Sequence, residues 1–308
     1  MRPRSLAQSD NMLAWSVFIG KRLRDMHSLG NPNFILSPKE QIISKRNRLF
    51  FSLRRAVAFR RNSYKEYGCG ETQLKEWLST LSPPAREDVL FLLNKFHFHY
   101  WADFLSLEVM KKNLATLWIM ERMMSDLYLH PEEILEPGCQ DFNRLPAIHT
   151  FFQNRGIYPT ITGLELDPFR ILQNLFSRHD LAQYYRSLCK NSHTEYFGAD
   201  FFHYRPSWPS DLIFAFYPFV SPHPALAWGL PEEFGNPDAW LESIFENLRE
   251  NGQALVLHQG NWEEEEFDEA LKRNPGKLSL LRRERLICPF YPELHPSFAS
   301  LYTRLSSC

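Results

Sequence analysis

The stretch Ile134-Leu135-Glu136-Pro137-Gly138-Cys139-Gln140-Asp141-Phe142, followed by Thr160-Ile161-Thr162-Gly163-Leu164-Glu165-Leu166-Asp167-Pro168, decides how this chain reads. Each piece starts as a short apolar run suited to a strand and passes into a polar turn that opens a helix. The first turn holds an acid and one glycine, Gly138. The second run ends in an acid, Glu165. This is the layout of a nucleotide-binding βαβ unit, in which a loop passes under a ligand and a carboxylate holds a ribose.

Working outward, the chain changes character near residue 130. Before it the patterns are helical. Asn11 to Met26 spaces Leu13, Val17, Ile19 and Leu23 as a helix does, and Ser37-Pro38-Lys39-Glu40 is a capped helix start that runs to about Arg61. Further helices are expected over Glu71 to Leu81, Ala85 to His97 and Trp101 to Leu127, the last as one long helix or two abutting ones. After residue 130, strands and helices alternate. A helix is expected from Phe142 to Asn154, a strand from Thr160 to Leu166, and a helix from Asp167-Pro168 to Cys189. Thr194 to Asp200 and Asp211 to Phe219 read as strands, the second apolar enough for the middle of a parallel sheet. A helix from Asn236 to Arg249, a strand from Gln253 to His258 and a helix from Trp262 to Arg273 follow. Lys277 to Leu286 and Ser297 to Arg304 are strands with no helix between them. The fold class expected is α/β: a seven-stranded, mostly parallel sheet with helices on both faces and a C-terminal antiparallel hairpin. The division expected is a helical region over 1–130 and a sheet domain over 131–308.

Bulk properties narrow the class. A chain of 308 residues that is 44% hydrophobic can bury a sizeable core, and 15% aromatic content points to bulky packing. A net charge of −1 gives no global reason to expect a nucleic-acid or membrane partner. The cysteines, Cys69, Cys139, Cys189, Cys288 and Cys308, are widely spaced and form no CxxC pair, so reduced thiols in a cytoplasmic protein are the simplest reading. No apolar run approaches the ~20 residues that span a bilayer.

The order of these motifs resembles the class I S-adenosylmethionine-dependent methyltransferases, over roughly residues 131 to 308. In that family an acid ends the first strand and a glycine-rich turn passes under the cofactor. Glu136 to Asp141 looks like that turn, with Gln140 and Phe142 standing where later glycines would be. Glu165, followed by Leu166, matches the acid that binds both ribose hydroxyls, a task suited to a carboxylate. Gly198-Ala199-Asp200-Phe201 is similar to the acid near the adenine amino group, with Phe201 as a wall. The strand from Asp211 through Phe216, Tyr217 and Phe219 resembles the one leading to the active-site edge. The resemblance implies S-adenosylmethionine as cofactor, bound by Glu136, Gly138, Gln140, Glu165, Leu166, Asp200, Phe201 and Phe216. Tyr217 and Phe219 would line the substrate pocket.

After the fourth strand, Phe216-Tyr217-Pro218-Phe219 lacks the acid or amide that would accept a nucleobase amine's proton, which argues against nucleobase amino acceptors. The acceptor stays open among small molecule, protein and RNA, and no catalytic residue is assigned. His203, His223 and His258 are weighed as general bases and read as surface or core histidines. No metal-ligand spacing occurs. The basic run Lys39, Lys45, Arg46, Arg48, Arg54, Arg55, Arg60 and Arg61 reads as a solvated helix pairing with acids elsewhere, with a face for RNA or an acidic partner as the alternative, and Glu263 to Glu266 as an acidic first turn. Two rivals remain: a non-catalytic methyltransferase-like scaffold, and a nicotinamide-dependent oxidoreductase, disfavoured because no GxGxxG occurs. A membrane partner is not expected, and the N-terminal helices are the surface through which a homodimer would form.

Overall fold

The computed structural model describes residues 36–305 apart from 62, 128, 295 and 296. The chain divides into two compact units, Met1–Ile43 and Ser44–Cys308. The helix expected over Asn11 to Met26 lies outside the described residues.

Helix α1 (Pro38–Val57) starts at the expected cap. The Ser37 hydroxyl and amide both donate to the Glu40 carboxylate, and the Glu40 amide donates back to Ser37 Oγ. It ends four residues earlier than expected, and Ala58 turns the chain with a φ of 47°. Helices α2 (Gly70–Thr80), α3 (Pro83–Lys95) and α4 (Leu107–Met124) follow. The single long pattern from Trp101 onward divides into a 3₁₀ turn, Phe98–Asp103, and α4, because Ser106 caps a new helix by accepting from the Val109 amide.

Then the alternation begins: β1 (Glu133–Pro137), α5 (Leu145–Gln153), β2 (Thr160–Leu164), α6 (Arg178–Leu188), β3 (Thr194–Phe197) and β4 (Ser210–Phe216). Next come the short α7 (Pro222–Ala227), α8 (Pro237–Asn247), β5 (Leu248–His258), α9 (Asn261–Arg273), β6 (Leu278–Leu286) and β7 (Ser297–Arg304). Further expectations are corrected: α8 ends at Asn247 rather than Arg249, and β5 begins at Leu248 rather than Gln253. No helix starts at Asp167-Pro168; α6 begins at Arg178, where Ser177 and Asp180 form a reciprocal capping box. The intervening loop carries Glu165 and Asp167 away from any helix start.

The seven strands lie in the order β3-β2-β1-β4-β5-β7-β6. β1 to β5 are parallel, and β7 inserts antiparallel between β5 and β6. Alternation along the strands sends Ile134, Phe214 and Leu255 to one face, packed with α4 and α5, and Leu135, Ile213 and Val256 to the other, packed with α8 and α9. The strand order reverses between β1 and β4. In open α/β sheets the carboxyl ends of the strands at such a reversal form a ligand crevice.

Candidate functional site

The loop leaving β1 takes the backbone path of a glycine-rich turn with one glycine. Gly138, Gln140 and Phe142, at alternate positions, have φ of 70°, 59° and 61°. For Gln140 and Phe142 this left-handed region costs roughly 1–2 kcal/mol each. Packing holds them there. Phe142 is fully buried beside Tyr196, the Tyr196 hydroxyl donates to the Gln140 carbonyl at 2.7 Å, and the Gly138 amide donates to the Leu164 carbonyl at 2.8 Å. Gly163 makes the room: a Cβ on it would lie 2.8 Å from Cys139 Sγ and 2.9 Å from Phe142 Cε2.

Above this loop, Glu165 is 4% exposed and already engaged. Its Oε2 accepts from the Gln140 amide at 2.9 Å. Its Oε1 accepts from the Asp167 amide at 2.8 Å and from Arg178 at 2.6 Å. A carboxylate has about four lone-pair sites, so one is left, and a ribose diol needs two. Arg178 is buried as well, with Trp228 5.8 Å from its guanidinium. Asp200 is likewise tied: Oδ1 accepts from the Phe202 amide at 3.0 Å, and Oδ2 meets His203 Nδ1 at 2.7 Å.

One cavity brings together Gly138, Gln140, Glu165, Leu166, Asp200, Phe201, Phe216, Tyr217 and Phe219. Glu136 is not among its lining residues. It is buried on the α4 and α5 face of the sheet, and among the described residues neither of its oxygens has a hydrogen-bond partner. Burial pushes its carboxyl up to about 7, against the pull of Arg144 and Lys112. Lys112 is pushed down to about 8, by burial and then by Arg144.

The cavity also contains residues the sequence reading passed over: Arg178, Pro224, Trp228, Leu230, Phe234, Trp240, Gln259 and Glu263. Pro224 to Phe234 is a cover, clasped by α1. Asn47 donates to the Leu226 and Leu230 carbonyls, both at 3.0 Å; Arg54 pairs with Asp167 at 2.6 Å; Phe51 packs edge-on to Phe234. Arg48 pairs with Glu233 at 3.0 Å. These pairings account for part of the basic run. The enclosed space is about 100 Å³, below the ~300 Å³ at the small end of ligand pockets.

At the opposite end, Tyr217 leaves β4 with a φ of 58°, its amide donating to the Leu257 carbonyl at 2.8 Å. Such strain at the end of a central strand aims a side chain into the crevice. Arg144 stands over the Phe216 and Tyr217 rings, 4.9 and 5.9 Å from their centroids. Glu263, at the start of α9, is 3% exposed, and its Oε2 accepts from the Gln259 amide at 2.6 Å. Burial pushes its carboxyl up to about 7, the Gln259 bond drawing it back. The signal for its burial was present in the sequence: Glu263 shares a helical stripe with Phe267 and Ala270, both fully buried.

The histidines separate. His203 is exposed beside Asp200, His223 lies in α7, and His258 is buried against Phe267 and pushed down to about 3, first by burial and then by Arg283. None of the three lines the cavity. Among the described residues no group of three or more His, Cys, Asp or Glu could hold a metal ion.

No family profile and no curated protein matches the chain. Comparison with solved structures finds N-methyltransferase NodS from Bradyrhizobium japonicum WM9, 9% identical, covering 65% of this chain and 98% of that one, with a TM-score of 0.41. A putative class I S-adenosylmethionine-dependent methyltransferase from Listeria monocytogenes is 14% identical, covering 74% and 70%, with a TM-score of 0.46. TrmN from Thermus thermophilus is 16% identical, covering 63% of this chain and 49% of that one, with a TM-score of 0.44. What decides the fold is the sheet itself: seven strands, reversed between β1 and β4, with a closing antiparallel strand between β5 and β6. The chain has the α/β fold expected from its sequence, a seven-stranded, mostly parallel sheet with an antiparallel C-terminal pair. No helix among the described residues is long and apolar enough to cross a membrane.

Proposed function

We propose that the chain is a methyltransferase that binds S-adenosylmethionine in this cavity. The observation that carries the reading is the loop after β1, which holds the glycine-turn conformation at Gln140 and Phe142 against its own cost and lies beneath Glu165. The residues present fit the cofactor on three counts. Phe201 and Leu166 offer apolar walls to a flat ring beside the Asp200 carboxylate. Glu165 offers the diol its carboxylate once Arg178 turns away. Gly138 is exposed and leaves the backbone open to close approach.

When bound, the cofactor supplies an electrophilic methyl on sulfonium, transferred by direct displacement. The chain's share is positioning and exclusion of water. The segment from Pro224 to Phe234 is the removable wall, and α1 is its clasp. The helices that follow α1, up to residue 130, cover the sheet face that carries Phe214 and Phe216. The cytoplasmic location we propose is supported by Cys69, Cys139, Cys189 and Cys288, all free thiols.

A second reading has its own observation. With Glu165 engaged by Arg178 and only about 100 Å³ of space in the cavity, the fold could serve as a partner-binding scaffold without cofactor. Trp228 and Trp240 line the cavity, so their fluorescence reports occupancy. Titration with S-adenosylmethionine is expected to change that fluorescence saturably. Glu165→Ala is expected to weaken binding roughly ten- to a hundred-fold, from ~1.5–3 kcal/mol for hydrogen bonds to a charged group. No change at millimolar ligand favours the scaffold.

A further inference from the structure

We infer that Glu263 is the base that takes the proton from the methyl acceptor, and that the acceptor is an amine. The inference rests on the reading of the cavity as an S-adenosylmethionine site.

Position comes first. The nucleoside-facing acids, Glu165 and Asp200, stand at the ends of β2 and β3, and Glu263 stands beyond the end of β5. From β2 to β5 the sheet crosses three strand spacings, about 14 Å at ~4.8 Å each. A cofactor with its ribose at β2 therefore points its reacting end toward β4 and β5, where Tyr217, Gln259 and Glu263 line the same cavity.

The carboxylate is held at one oxygen. The Gln259 amide fixes Oε2 at 2.6 Å, and no ion pair among the described residues involves Glu263. A buried carboxylate without a counter-ion is costly unless protonated or met by a cation. Its ionisable neighbour just past β4, Tyr217, is pushed up to about 12, chiefly by burial, and stays neutral. Arg144 lies over the Tyr217 ring and makes no ion pair with Glu263. A group that brings an N–H, or a positive charge, to Oε1 completes the site. The sequence after β4, Tyr217-Pro218-Phe219, has no acid or amide to do this work. Glu263 supplies it from the neighbouring strand's end.

The step balances. The amine nitrogen forms a bond to the methyl carbon, and the carbon–sulfur bond breaks with its electron pair going to sulfur. The nitrogen's proton passes to Glu263 Oε1. Sulfonium, amine and carboxylate become thioether, methylated amine and carboxylic acid.

The test uses two probes on the full chain, S-adenosylhomocysteine and sinefungin, the analogue with a protonated amine at the position of the transferring methyl. Calorimetry of the wild type is expected to show sinefungin bound at least about ten-fold more tightly. Glu263→Gln keeps an oxygen for the Gln259 amide and is expected to abolish that preference while leaving S-adenosylhomocysteine affinity within about two-fold. Glu263→Asp is expected to retain part of it. If both ligands bind and the ratio is unchanged in Glu263→Gln, the base assignment is wrong. If neither ligand binds, the cofactor site and this inference are overturned together.

Discussion

The two ends of the cavity differ in how their polar groups are spent. At the β2 and β3 end every acid has a protein partner: Glu165 accepts from two amides and Arg178, Asp200 from an amide and His203, and Asp167 pairs with Arg54. At the β4 and β5 end fewer contacts hold the charged groups: Glu263 accepts from the Gln259 amide and is in no ion pair among the described residues, and Arg144 rests on the Phe216 and Tyr217 rings. A fully satisfied polar network rigidifies its surroundings, whereas a buried polar group left unpaired is costly. On the proposed reading, the first end stays closed to a cofactor until Arg178 moves, and the second faces the acceptor.

The largest effect that probes this contrast comes from breaking the closed end. Arg178→Met leaves Glu165 as a buried charge without its cation and is expected to destabilise the fold by about 3–5 kcal/mol, measured by urea denaturation. Adding Glu165→Gln should recover much of the loss. A single variant within about 1 kcal/mol of wild type would mean the pair does not close this end.

The open end should respond to pH instead. Glu263's folded carboxyl is raised from 4.5 to about 7, so the folded state holds its proton longer than the unfolded one. Its contribution is fully present below pH 4.5 and is lost as pH rises through 7. At pH 8 the cost approaches an upper bound of ~3 kcal/mol, from 1.36 kcal/mol per pKa unit. Glu263→Gln is expected to remove it, raising the melting temperature at pH 8 but not at pH 4. Equal effects at both pH values would show that the carboxyl is not perturbed.

Between the two ends lies the β1 loop, where smaller changes read the strain. Gly163→Ala crowds Cys139 and Phe142 and is expected to cost about 1–3 kcal/mol. Gln140→Gly relieves a left-handed residue but adds chain entropy in the unfolded state, for a net gain of up to ~1 kcal/mol. A loss on Gln140→Gly would show that its side chain, not its backbone, holds the loop.

The same contrast explains what could be read from the chain beforehand. The strands and their order along the sequence were legible because apolar runs such as Leu212 to Phe216 alternate with amphipathic helices. Glu165 and Asp200 were legible as acids at strand ends, since a local motif places them. Arg178 was not, because it reaches Glu165 across a loop that was expected to be helix; the capping box at Ser177 and Asp180 moved the helix start ten residues on. Trp228 and Glu263 come from segments distant in sequence, and only the closure of the sheet brings them to the cavity. Glu263 in particular sits in a run of four acids, where charge alone suggests a solvated turn and only the stripe with Phe267 betrays burial.

The most direct test is a crystal structure of the full chain with S-adenosylhomocysteine. The expected result is the ribose diol on Glu165, Arg178 turned from its present partner, and the sulfur directed toward Tyr217 and Glu263. A ligand bound elsewhere, or a ribose held without Glu165 while Arg178 keeps its 2.6 Å contact, would contradict it.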